Sequence, residues 1–138
     1  MASKAQHDYA VYLFQQGFYA DTVAQLDELL RVDETAERWS DWATAQFGLD
    51  HFAEAERGFR RALELNPEMS EAAVNFGMLL SGQGRCAEAV ELFERALPEL
   101  EGEGRSAVEN FIAQCRAQLC AAGAESVPTK AATQDAAP

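Results

Sequence analysis

The chain has 138 residues, 48% of them hydrophobic and 25% charged, which is the size and balance of one soluble globular domain. Its formal net charge is −12, from 23 acidic and 11 basic side chains. A surface of that sign repels phosphate backbones and anionic headgroups, so neither nucleic acid nor a membrane is an expected partner, while a basic or cationic amphipathic protein is.

The first stretch, MASKAQHDYA, lacks the basic-then-apolar order of a secretory leader. No run approaches the ~18 apolar residues a bilayer span requires, and a cytoplasmic location is the expectation. Arg predominates over Lys, with Lys4 and Lys130 the only lysines, and alanine is abundant; such usage fits a GC-rich bacterial genome. Cys86, Cys115 and Cys120 are odd in number, with no CxxC spacing and no histidine nearby. Reduced thiols are therefore expected, with neither a disulfide framework nor a zinc site.

Along the chain the dominant feature is repetition. GFYADTVAQLDELL from Gly17, DHFAEAERGFRRAL from Asp50 and GRCAEAVELFERAL from Gly84 align at offsets of 33 and 34 residues. Each is preceded by a helical stretch with one apolar face: Gln6, Tyr9, Ala10 and Leu13, then Trp39, Trp42, Ala43 and Gln46, then Ala73, Phe76, Gly77 and Leu80. Small residues (Ala10, Ala43, Gly77, with Thr22, Ala55, Ala89) allow paired helices to approach. Large ones (Leu26, Phe59, Phe93) fill the gap to the next unit, so each unit buries its face only against a neighbour. Gly17, Gly48–Asp50 and the Gly82/Gly84 pair mark the turns inside each unit. Asn66-Pro67 closes the second unit, and Pro98 ends the last helix of the third before an exposed Glu101–Gly104 turn. Ser106-x-x-Glu109 has the form of a capping box for a helix carrying Val108, Phe111, Ile112, Cys115 and Leu119. From 122 onward too little apolar surface remains to order the chain, and a disordered tail is expected.

The middle unit, Trp39-x2-Trp42-Ala43-x2-Gln46, Ala55-x3-Phe59-x2-Ala62 and Pro67, resembles the tetratricopeptide repeat (TPR) pattern W-x2-L-G-x2-Y, A-x3-F, P. The third unit, with Ala73, Phe76, Gly77, Leu80, Ala89, Phe93 and Ala96, follows it closely. The main departures are Gln46, in place of an aromatic, and Thr22, in place of alanine; they are expected to loosen local packing. The resemblance implies an all-α fold: a right-handed α-α superhelix of three TPR helix pairs (3–35, 36–69, 70–103) plus a capping helix (105–121), in a domain of residues 1–121.

The resemblance also implies a concave groove lined by the first helix of each pair. Its positions are Lys4, His7, Asp8, Val11, Phe14 and Gln15; Glu37, Ser40, Asp41, Thr44 and Phe47; and Glu71, Val74, Asn75, Met78 and Ser81. Family members that clamp a chaperone's C-terminal carboxylate use Lys, Arg and Asn there. This chain has His7, Val11, Asp41, Glu71 and Asn75 at the matching sites, so the clamp is absent. Val11, Phe14, Phe47, Val74 and Met78 instead form an apolar run edged by Asp8, Glu37, Asp41 and Glu71, suited to an apolar segment flanked by basic residues.

Catalysis finds no footing, since His7 and His51 lie in different repeats and no phosphate loop, HExxH or nucleophile constellation is present. No cofactor or metal is expected. The leading expectation is thus a non-catalytic protein-binding module, a monomer or weak homodimer. Two alternatives are a small TPR chaperone resembling those of type III secretion, and a self-assembling structural scaffold.

Overall fold

The structure is a computed structural model describing the backbone of residues 2–136, with side chains described from 3 to 122. It forms, among these residues, seven α-helices and no strand: α1 (Ala2–Gln15), α2 (Tyr19–Val32), α3 (Ala36–Gly48), α4 (Phe52–Leu65), α5 (Ser70–Gly82), α6 (Cys86–Ala96) and α7 (Gly102–Ala136), with a 3-10 turn at Leu97–Glu99. No helix among the described residues is long and apolar enough to cross a membrane.

Three antiparallel pairs are built alike because the same turn recurs. Gly17, Asp50 and Gly84 all adopt left-handed backbone, with φ of 85°, 61° and 79°. In each turn the next amide bonds back to the carbonyl five residues earlier: Phe18 N–H to Leu13 O, His51 to Gln46 O and Arg85 to Leu80 O, all at 2.9 Å. These bonds satisfy carbonyls that the end of a helix leaves without partners. Between pairs, Thr35 accepts from the Arg38 amide as an N-cap, and Asn66 Oδ1 accepts from the Glu68 amide. The guanidinium of buried Arg38 donates to Leu29 O and Asp33 O, so an arginine of α3 closes the carbonyl end of α2.

One continuous core runs through the stack. Leu26, Phe59 and Phe93, the residues that fill the gaps between units, are each 0% exposed. Gly58 and Gly77 are needed for close approach, since a Cβ at Gly77 would lie 2.5 Å from the Phe93 ring. The two departures from the repeat pattern pack without looseness. Thr22 is buried and its hydroxyl donates to Phe18 O at 2.8 Å, while buried Gln46 meets the His51 ring, Oε1 to Nδ1, at 2.7 Å. Each polar replacement thus finds its own hydrogen bond inside the stack, as a buried polar group requires.

At the C-terminal end two expectations are corrected. The last helix starts at Gly102 rather than near 105, because left-handed backbone at Gly102 (φ 58°) turns the chain directly out of the Pro98 turn. Ser106 therefore sits a turn inside the helix, the capping box does not form, and Glu109 pairs with Arg105 at 3.4 Å. The helix lays Val108, Ile112 and Cys115 on the core. Its backbone runs on to Ala136, across the stretch expected to be a tail, while the side chains of 123–138 lie outside the described residues.

Candidate functional site

Helices α1, α3 and α5 each turn a polar-edged face to the same side of the stack, because their opposite faces are occupied by the paired helices α2, α4 and α6. A recess of about 200 Å³ opens there, walled by Ala10, Val11, Phe14, Gln15, Thr22, Asp41, Thr44 and Glu71. Phe14 is braced by Tyr19, with ring centroids 5.2 Å apart. A second hollow, lined by Lys4, His7, Asp8, Val11, Glu37, Asp41, Met69 and Glu71, shares three of those residues and continues toward the N-terminus. A third runs between α5 and α7, lined by Ser70, Glu71, Val74, Asn75, Leu100, Gly104, Ala107, Val108 and Phe111. Glu71 stands where all three meet.

The electrostatics of this junction are one-sided. His7 Nε2 lies 2.7 Å from Asp41 Oδ2, joining α1 to α3, and Lys4 pairs with Asp8 on α1. Burial nevertheless pushes the Asp41 carboxyl above its ordinary range, outweighing the pull of His7, and Glu37 adds to the rise. Glu71 is raised as well, first by desolvation and then by the neighbouring charges of Asp41 and Glu37. Crowded carboxylates that resist ionisation are stabilised by any cation placed among them.

Of the groove residues expected from the sequence, Asp8, Val11, Phe14, Glu37, Asp41, Thr44, Glu71, Val74 and Asn75 do line these hollows. Two do not. Phe47 packs edge-on against Phe52, centroids 5.9 Å apart, and against the core, because the start of α4 folds back over the end of α3. Met78 is 41% exposed but stands outside all three hollows. Ser40, placed in the groove by register, is fully buried. The sequence did not anticipate the α7 wall of the third hollow; the spacing of Val108, Phe111 and Ile112 signals an apolar face, but not that its edge would be left open beside α5.

A family model described as tetratricopeptide repeat matches residues 40–104. Human "Tetratricopeptide repeat protein 16" is 32% identical over 92 residues, which is 65% of this chain and 10% of that one. Over residues 40–104 the chain is tetratricopeptide repeat in sequence. The Arabidopsis thaliana "Protein POLLENLESS 3-LIKE 2" is 38% identical over 77 residues, 56% of this chain and 17% of that protein. The chain spans only 10% and 17% of the length of these two curated relatives. Among solved structures, the first TPR of Spaghetti (RPAP3) bound to the HSP90 peptide SRMEEVD superposes with TM-score 0.79 at 21% identity, covering 86% of this chain and 93% of that one. The Yersinia enterocolitica type III secretion chaperone SycD, in complex with a peptide of the translocator YopD, gives 0.77 at 12% identity, covering 83% and 92%. At these identities the likeness concerns the fold.

Proposed function

We propose that this chain is a non-catalytic protein-interaction module whose concave groove captures a segment of a partner protein. An apolar side chain of that segment fills the recess between Val11, Phe14 and Thr44, and a Lys or Arg beside it meets Asp41, Glu71 and Glu37. The observation that carries this reading is the recess itself, which has an apolar wall, the carboxylates of Asp41 and Glu71 in its lining and that of Glu37 in the adjoining hollow, with no arginine or lysine among the described residues paired with them. Peptide binding by the RPAP3 and SycD domains, which share the fold, supports a peptide or helix as the ligand. A chaperone's acidic C-terminal tail is a poor candidate here, since Asp41 and Glu71 would repel it.

The reading is tested by cross-linking and capturing partners from cells with the wild-type chain and with Asp41→Lys/Glu71→Lys and Phe14→Glu variants, each checked for folding. Loss of the same partner in both variants supports groove capture. Retention in both refutes it. A second reading, a chaperone for an export substrate, is supported by the match to SycD over nearly the whole of both chains. It is tested by whether a captured partner becomes insoluble when expressed without this protein.

A further inference from the structure

The two ends of the stack are finished differently. At the C-terminal end, α7 turns Val108, Ile112 and Cys115 inward and leaves Glu109, Ala113 and Arg116 exposed, a polar outer face that closes a repeat array to water. Among the described residues, α1 at the other end has no such finish. Tyr9 and Tyr12 of α1 are 51% and 54% exposed, and their rings lie 6.5 Å apart and nearly parallel. The repeat shows what that face is built to do. In α3 the equivalent positions are Trp42 and Ala45, and in α5 they are Phe76 and Leu79; all four are at most 5% exposed, each pair being covered by the helix of the preceding unit. Ala5 likewise matches Arg38 and Ala72, both buried. The outer face of α1 is thus a helix-covered face whose covering helix is missing among the described residues.

We infer that a second copy of this chain covers it, with α1 packing antiparallel on α1 in a two-fold dimer. The argument for a second copy is register. Ala5, Tyr9, Tyr12 and Gln16 follow one another at steps of 4, 3 and 4 residues, the spacing of a seam that meets another helix lengthwise. Gln16 still continues the helix, its amide bonding to Tyr12 O at 3.1 Å. Run antiparallel, one alignment sets Tyr9 against Tyr12 of the second copy and Ala5 against its Gln16, twice over, as a two-fold interface requires. No ionised side chain lies on the seam, and the flanking Asp8 falls beside Gln15 of the second copy, so no like charges oppose. The groove positions His7, Val11 and Phe14 lie on another face of α1, leaving both grooves of the dimer open. A partner with two binding segments would then engage both at once and gain avidity without a new contact.

Each copy carries −12, so salt that screens this repulsion should tighten association while the apolar seam holds. The test is the mass of the full chain across a concentration series, at low and moderate salt, by light scattering and sedimentation. The expected result is a rise from 15.1 kDa toward twice that value, tightened by salt, with at least a tenfold loss in the Tyr9→Glu/Tyr12→Glu variant. Both side chains are exposed, so the helical circular dichroism of that variant should match wild type. In a Cys120→Ser background, mixing Ala5→Cys chains with Gln16→Cys chains under oxidation should cross-link one to the other. A monomer at every concentration, a dimer unaffected by the tyrosine changes, or cross-links between two Ala5→Cys chains would each overturn the proposal.

Discussion

The closeness of α5 to α6 can be tested with one substitution made at two places. Gly77 lies within α5, and a Cβ there would sit 2.5, 2.8 and 2.9 Å from three ring carbons of Phe93. That ring is 0% exposed and also packs on Phe111, centroids 5.5 Å apart, so little room is left for it to move. Alanine in place of a mid-helix glycine gains about 1 kcal/mol of helix propensity. Overpacking a rigid core costs about 1–3 kcal/mol, and an approach a full ångström inside contact distance falls in the upper half of that range. The net expectation for Gly77→Ala is destabilisation by about 1–2 kcal/mol. Gly104 is also helical, near the start of α7, and a Cβ there meets nothing within 4 Å. Gly104→Ala should therefore stabilise, by about 0.5 kcal/mol at a first-turn position. At about 4 °C per kcal/mol for a domain of this size, the two variants should melt about 6–10 °C apart on either side of wild type, followed by circular dichroism at 222 nm. If Gly77→Ala melts at or above wild type, the glycine is not there to admit Phe93, and the account of the α5–α6 packing is wrong.

The three left-handed turn positions give an internal comparison: Asp50→Gly should raise stability by about 0.5 kcal/mol, and Gly84→Ala should lower it by about 1 kcal/mol, as urea midpoints will record. Cys120 is exposed, whereas Cys86 and Cys115 are buried and burial pushes the Cys115 thiol up to about 11; one thiol should react rapidly with a disulfide reagent in the native protein and the other two only on unfolding. Asp41 and Glu71 hold protons more tightly folded than unfolded, so each contributes stability that is complete below the ordinary carboxylate range and lost as pH rises through its raised folded value. Glu34, Glu56 and Glu88, held low by hydrogen bonds from Arg61 and Arg85, act in the opposite sense, their contribution being lost as pH falls through their lowered values. Asp41→Asn/Glu71→Gln should consequently be more stable than wild type at pH 7 and converge with it near about pH 4, in melting curves taken across that interval. Binding of a basic peptide should weaken over the same fall in pH.

Much of the fold was legible because the repeat states each constraint three times. Small residues at Ala43, Gly77 and Ala89 and large ones at Phe59 and Phe93 read as paired helices, and the turns at Gly17, Asp50 and Gly84 fall where the alignment put them. What could not be read depends on contacts between elements rather than on spacing within one. Gln46 reads as a packing defect from the repeat pattern, but His51, across the turn, is its hydrogen-bond partner. Phe47 has the spacing of a groove residue on α3, but Phe52 comes over it from α4. The Ser106–Glu109 box is a sound local signal, displaced because Gly102 allows the helix to begin a turn earlier. The pairing of His7 with Asp41 joins residues 34 apart, which no local pattern reports.

Where the basic side chains stand bears on whether the acidic charge serves recognition or solubility. Arg38 closes the end of α2, and Arg95 and Arg105 donate to Pro67 O and Leu97 O. Arg57 and Arg60 lie over the rings of Trp42 and Phe76. Arg61, Arg85 and Arg116 pair with Glu34, Glu56, Glu88 and Glu94, and all but the local Arg85–Glu88 pair tie separate segments of the stack together. Arginine is thus committed to the helix ends and to the face formed by α2, α4 and α6, where its partners are neutralised and surface pairs add little stability each. On the concave side, Glu37, Asp41 and Glu71 receive no such partner among the described residues. An acidic charge serving only solubility gains nothing from being gathered beside an apolar recess, where its members repel one another and lose hydration. The same arrangement favours recognition, since a partner's lysine or arginine entering there relieves that repulsion as it binds.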